Sequence, residues 1–132
     1  MSQTLLIVGI RNLGREIALH FAAQGWQVVC AARTQGEVES MARAVDAAGG
    51  KGVPLRVDLT DRATLASLPP MDLCIAAQTS GGRFGSKPLL DIDDEELSRG
   101  FSAYVQGTWN LLKAVGPGMV ARRRGTFLQM GT

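Results

Sequence analysis

Cysteine and histidine are scarce: the 132 residues hold two cysteines, Cys30 and Cys74, and one histidine, His20. Both cysteines sit in apolar runs, VVCAA and LCIAA. They read as small core residues of strands, not as a disulfide framework or a metal site. A single histidine inside a helical pattern excludes a zinc constellation, and no metal is expected. Aromatic residues are 5% of the chain and the formal charge is +2. The one dense basic run, Arg122, Arg123 and Arg124, lacks the aromatic interleaving of a single-strand nucleic-acid platform. It reads as a solvated helix end, where cations are favourable, and no nucleic-acid partner is expected. The N-terminal SQTLLIVG is too short and too uncharged for a signal peptide. No apolar run reaches membrane-spanning length, so no membrane partner and a cytoplasmic location are expected.

What the chain has is apolar residues, at 45%, and 16 glycines without a three-residue period. That is enough to fill one core, and scattered glycines at element ends fit a fold with many tight turns. TLLIV, Thr4–Val8, reads as a buried strand stopping at Gly9. Leu13, Ile17 and Phe21 then recur at helical spacing behind Asn12, a candidate cap, and Gly25 ends that helix. A second apolar run covers 26–32. Thr34 and Glu37 have capping-box spacing and open a helix to about Ala48. A short strand is predicted over 53–57, a short helix over 61–68 and a fourth strand over 72–77. The polar, glycine-rich stretch 78–90 fits a loop beyond a strand end. Asp93 and Glu96 repeat the capping-box spacing. The long helix behind them carries Leu97, Phe101, Val105, Thr108 and Leu112 on one face, with an interruption expected at Gly116-Pro117-Gly118. A fifth strand is predicted over 126–130.

Apolar strands without polar alternation, each joined to the next by a helix, imply a parallel sheet covered on both faces. Right-handed crossovers make it a Rossmann-type doubly wound α/β fold of three layers, α/β/α. Flavodoxin-like and response-regulator folds share this coarse order, so the pattern alone does not choose a function.

The choice comes from VGIRNLGR, residues 8–15. Gly9 stands where the chain must turn just past the first strand. Gly14 stands at the helix start, where an absent side chain allows close approach to a pyrophosphate. Free N–H groups at this helix end suit phosphate oxygens. Two glycines with four residues between them are a weaker signal than a full three-glycine fingerprint, and an ordinary strand–helix turn is the alternative. Arg33 follows the second strand, near where the adenosine ribose lies in this topology. No Asp or Glu occupies 30–34, which favours a 2′-phosphate, hence NADP over NAD. Arg11 would add a second positive charge to the same phosphate. Asp58 and Leu59 would border the adenine, and Asp58 is equally placed to cap the next helix.

Together these segments resemble the N-terminal half of a short-chain dehydrogenase/reductase. The resemblance runs over residues 4–132 through VGIRNLGREIALHFAAQG, VVCAARTQGEVE, VPLRVDLTD, MDLCIAAQTSG, GTWNLLKAV and GTFLQMGT. It implies an NADP-dependent oxidoreductase acting on a small carbonyl or alcohol substrate and assembling as a homodimer or homotetramer. It implies cofactor contacts at Gly9, Arg11, Asn12, Leu13, Gly14, Arg33, Asp58 and Leu59. The family's Asn-Asn-Ala-Gly segment falls on Ala76, Ala77, Gln78 and Thr79, so both asparagine amides are lost while a backbone contact survives. Tyr104 stands at the family's helix asparagine. Thr132 stands at the serine that polarises the substrate oxygen, which makes it the one catalytic candidate here. The family's Tyr-x-x-x-Lys pair is not among these residues. Residues 1–132 are therefore expected to be an NAD(P)-binding Rossmann domain, incomplete at its C-terminal end. The alternative is a free-standing sensor or scaffold that binds NADP without catalysis.

Overall fold

A computed structural model describes residues 3–78 and 87–131. Strand β1, Thr4–Val8, lies at the centre of a five-stranded sheet. Helix α1 (Leu13–Ala23) leads to β2 (Gln27–Ala32), and α2 (Gln35–Ala47) leads to β3 (Lys51–Arg56). A single 3-10 turn, Arg62–Leu65, precedes β4, Leu73–Ala76. A second 3-10 turn, Leu89–Asp91, leads into α3, Asp94–Gly100, then a π-helical segment, Phe101–Gln106, and α4, Gly107–Arg122. Strand β5, Thr126–Gln129, forms one edge.

The order is β3-β2-β1-β4-β5, with every pair parallel. This is the Rossmann order; a flavodoxin-like sheet would run 2-1-3-4-5. Growth of the sheet reverses between β3 and β4, so the carboxyl ends of β1 and β4 bound the crevice where this architecture binds ligands. Leu5, Ile7, Val28 and Cys30 pack with Ala18, Ala22, Val38 and Val45 on the α1–α2 side. Leu6, Val8, Val29 and Cys74 pack with Leu111, Val115 and Met119 on the other. Full burial of such a side chain contributes about 1.5–3 kcal/mol, which is why these strands carry apolar residues at successive positions. Cys30 and Cys74 are buried and unpaired, and burial pushes both thiols up to about 12.

The expected break at Gly116-Pro117-Gly118 does not occur, because α4 runs through Pro117 to Arg122. Leu111, Val115 and Met119 are buried at four-residue intervals and hold the helix across the proline. Lys113, whose carbonyl loses its helical donor, lies on the exposed side where water can replace it. The predicted helix over 61–68 is reduced to that one 3-10 turn.

Two expected caps are also corrected. Asn12 stands at the N-cap of α1 but makes no side-chain cap hydrogen bond; its φ is +49°. Asparagine serves there by tolerating the left-handed region. Thr34 makes no side-chain cap bond either, and the Glu37 carboxylate is committed to an ion pair with Arg11. At α3 the cap is made, with Asp93 Oδ1 accepting from the Glu96 N–H at 2.8 Å. The basic run ends α4: Arg122 donates to the Met71 carbonyl at 3.1 Å, Arg123 takes φ +53°, and Arg124 pairs with Asp72 at 3.2 Å. The stripe Leu97, Phe101, Val105 and Leu112 faces outward and is exposed.

Candidate dinucleotide site

The turn from β1 into α1 is built around two missing side chains. Gly9 has φ +93°, and a Cβ there would lie 2.6 Å from the Ala77 carbonyl carbon and 2.7 Å from the Gln78 nitrogen. The ends of β1 and β4 therefore touch backbone to backbone, with the Ala77 N–H donating to the Val8 carbonyl at 2.7 Å. A Cβ on Gly14 would lie 1.8 Å from the Gly9 oxygen, so α1 starts directly against the turn that feeds it. Among the described residues, the N–H groups of Asn12 and Leu13 find no backbone acceptor, and both residues are exposed. Donors without a backbone acceptor at a helix N-terminus, beside a glycine turn at the switch point, fit the pyrophosphate of a dinucleotide.

The β2–β3 side of the crevice carries Arg33 and Asp58. Arg33 is exposed immediately after β2. Arg11 points at Glu37 and pairs with it, so its charge is shared with a carboxylate before any ligand arrives. Asp58 does not cap the next turn as one reading allowed. Its Oδ1 accepts from the Thr60 N–H at 2.9 Å and the Thr60 hydroxyl at 2.7 Å. Asp61 is the cap, accepting from the Ala63 N–H at 3.0 Å. The two Thr60 hydrogen bonds hold the Asp58 carboxyl below the usual range, with smaller help from Arg33 and Arg56. It is therefore an ionised acceptor at neutral pH.

Leu59 is buried beside it, and its position depends on a residue the sequence reading did not single out. Asn110, 4% exposed on α4, donates through Nδ2 to the Leu59 carbonyl at 2.7 Å. Its Oδ1 accepts from Arg62 Nε at 2.9 Å and Gln106 Nε2 at 3.0 Å. The available signal was an asparagine next to Leu111 on a face that is otherwise core. Asn110→Ala strands the Leu59 carbonyl, and the expected cost is about 1–3 kcal/mol by urea unfolding. A loss below about 0.5 kcal/mol contradicts this bond, since surface changes away from such features stay within that range.

At the end of β4 the sheet is tied to the helix by amides that stand outside the lost asparagine positions. Gln78 Nε2 donates to Thr108 Oγ1 at 3.0 Å, and the Thr108 hydroxyl donates to Gln129 Oε1 at 2.6 Å. Gln129 Nε2 reaches the Ala76 carbonyl at 3.4 Å. Among the described residues, Gln78 Oε1 is buried without a partner. Ala76 is buried and Ala77 half-buried, so they offer backbone and methyl surface. Tyr104 lies in the π-helical segment, 37% exposed. Thr79 and Thr132 lie outside the described residues. The structure thus brings Gly9, Asn12, Leu13, Gly14, Ala77 and Gln78 to one crevice, with Arg33 and Asp58 on its β2–β3 side.

Comparison with known proteins agrees with this geometry. The sequence matches the short chain dehydrogenase family over residues 3–131. The chain belongs to that family. It is 28% identical to a short chain dehydrogenase of Pseudocercospora fijiensis, covering 94% of this chain and 42% of that one. A solved 3-oxoacyl-[acyl-carrier protein] reductase with bound NAD from Brucella melitensis is 25% identical, with a TM-score of 0.86 over 96% of this chain and 52% of that chain. A metagenomic short-chain oxidoreductase in complex with NADP shares the fold, with a TM-score of 0.84 and 24% identity over 98% of this chain and 62% of that chain. The chain thus spans about half the length of the short chain dehydrogenases it matches. Among the described residues, no helix is long and apolar enough to cross a membrane, and no group of three or more His, Cys, Asp or Glu side chains could hold a metal.

Proposed function

We propose that this short chain dehydrogenase binds NADP(H) in the β1–α1 crevice and serves reversible hydride transfer to a carbonyl or alcohol substrate. The observation that carries the reading is the glycine turn. Gly9 and Gly14 pack so closely that α1 begins at the switch point, where the N–H groups of Asn12 and Leu13 have no backbone acceptor among the described residues. Family membership and the NAD held by the Brucella melitensis relative support a dinucleotide as the ligand. When bound, the nicotinamide supplies or accepts the hydride. The chain's own residues hold and orient the cofactor and the substrate oxygen. The α1 N-terminus holds phosphate, Arg33 carries the 2′-phosphate, and Asp58 accepts from the adenine amine beside buried Leu59. Thr132 is assigned the hydroxyl that polarises the substrate oxygen. The family's proton-transfer pair, Tyr-x-x-x-Lys, is not among residues 1–132. A homodimer or homotetramer is also part of the reading, supported by the exposed Leu97, Phe101, Val105 and Trp109.

Ala76, Ala77 and Tyr104, at positions where the family resemblance implies asparagines, favour a second reading: an NADP-binding sensor or scaffold. Following reduced-nicotinamide absorbance of the full natural protein with ketones, aldehydes and acyl thioesters separates the two. Turnover with any carbonyl class is expected for the enzyme. Saturable binding without turnover selects the sensor, and absence of binding removes both.

A further inference from the structure

Arg33 is not the only cation on the adenosine rim. Arg56 is the last residue of β3, and its Cα pairs with Ala32, the last residue of β2, which Arg33 directly follows. Neighbouring strands lie about 4.8 Å apart, so two arginines rise from adjacent strands at the same end of the sheet. Ala32 packs on the α1–α2 side, and residues paired in register share a face, so Arg56 belongs to the side where α2 begins. Both arginines are exposed. Among the described residues, ion pairs form at Arg11, Lys87, Arg99 and Arg124, and neither Arg33 nor Arg56 has a carboxylate within 4.0 Å. The nearby Asp58 feels both cations, yet its Oδ1 is taken up by Thr60. Two exposed cations without a carboxylate partner, at one end of the sheet, suit an anion of charge near two.

We infer that Arg56 is a second specificity-determining cation which, with Arg33, seats a phosphate on the ribose of the adenosine half. The inference rests on the NADP reading above and deepens it. Arg33 alone gives one fork of donors, whereas two arginines on adjacent strands clamp the phosphate from two directions.

The test titrates the chain with adenosine 2′,5′-bisphosphate and adenosine 5′-monophosphate, which differ only in the 2′-phosphate. Arg56→Gln is expected to weaken the bisphosphate about tenfold, the size of one charge-assisted bond, and to leave the monophosphate within about twofold. Arg56→Lys should recover part of the loss, because the charge returns without the fork. The thermal midpoint should not move, since Arg56 is exposed at the end of an edge strand. Unchanged bisphosphate affinity, or equal weakening of both nucleotides, overturns the inference. If Arg33→Gln loses discrimination while Arg56→Gln keeps it, the Arg56 role fails and the NADP reading stands. If the unsubstituted chain does not distinguish the two nucleotides, both fail.

Discussion

Gly14→Ala is expected to abolish dinucleotide binding and to cost about 3 kcal/mol or more in stability, beyond ordinary overpacking. A Cβ at this position would sit 1.8 Å from the Gly9 oxygen and 2.8 Å from the Gly9 carbonyl carbon. Both obstacles are backbone, so no side chain can swing aside. Either the start of α1 must shift or the turn must reopen, and the turn is already constrained by φ +93° at Gly9 and +49° at Asn12. Binding and stability should therefore fall together, because the same atoms close the turn and offer the donors. Gly36→Ala is the control. It lies in α2 with nothing within 4 Å of the added carbon, so it should be neutral or stabilising by up to about 1 kcal/mol. Urea midpoints and NADPH titrations of the two variants test the contrast. A Gly14→Ala protein that binds NADPH like the unsubstituted chain would show that the turn is not built this way.

Arg33→Asp should invert the cofactor preference. A guanidinium–phosphate hydrogen bond contributes about 1.5–3 kcal/mol, and replacing it with a carboxylate adds repulsion from the 2′-phosphate. NADPH affinity should fall on the order of 100-fold. NADH affinity should hold or rise, because a carboxylate at this position can accept from the 2′-hydroxyl. The ratio of the two dissociation constants is the readout. Equal loss for both cofactors would mean that Arg33 supports the rim without reading the ribose.

The sheet was legible because each central strand is buried on both faces, leaving runs such as LLIV and VVCA that no amphipathic helix would carry. Where periodicity met a strong local breaker, the tertiary structure won. Pro117 is carried within α4 by Leu111, Val115 and Met119, whose burial outweighs one missing hydrogen bond on the exposed side. Side-chain direction was less legible than position. Glu37 and Asp58 occur at capping spacings, yet Arg11 claims the first and Thr60 the second. These choices depend on partners up to 26 residues away, which spacing does not encode. Asn110 and Gln129 were missed for the same reason, since their partners Leu59 and Ala76 come from distant strands and loops. The glycine turn and Arg33, set by strand order and chain position, were readable from the sequence. The strand order 3-2-1-4-5 then separated this fold from its flavodoxin-like alternative.

We propose that the crevice between β1 and β4 is a dinucleotide site with a preference for the 2′-phosphate. Calorimetric titration of the chain with NADPH and NADH at one fixed salt concentration tests it most directly. Saturable one-to-one binding of both is expected, NADPH the tighter by about tenfold or more, as for at least one charge-assisted contact. Absence of saturable binding by either nucleotide, or tighter binding of NADH, would contradict it.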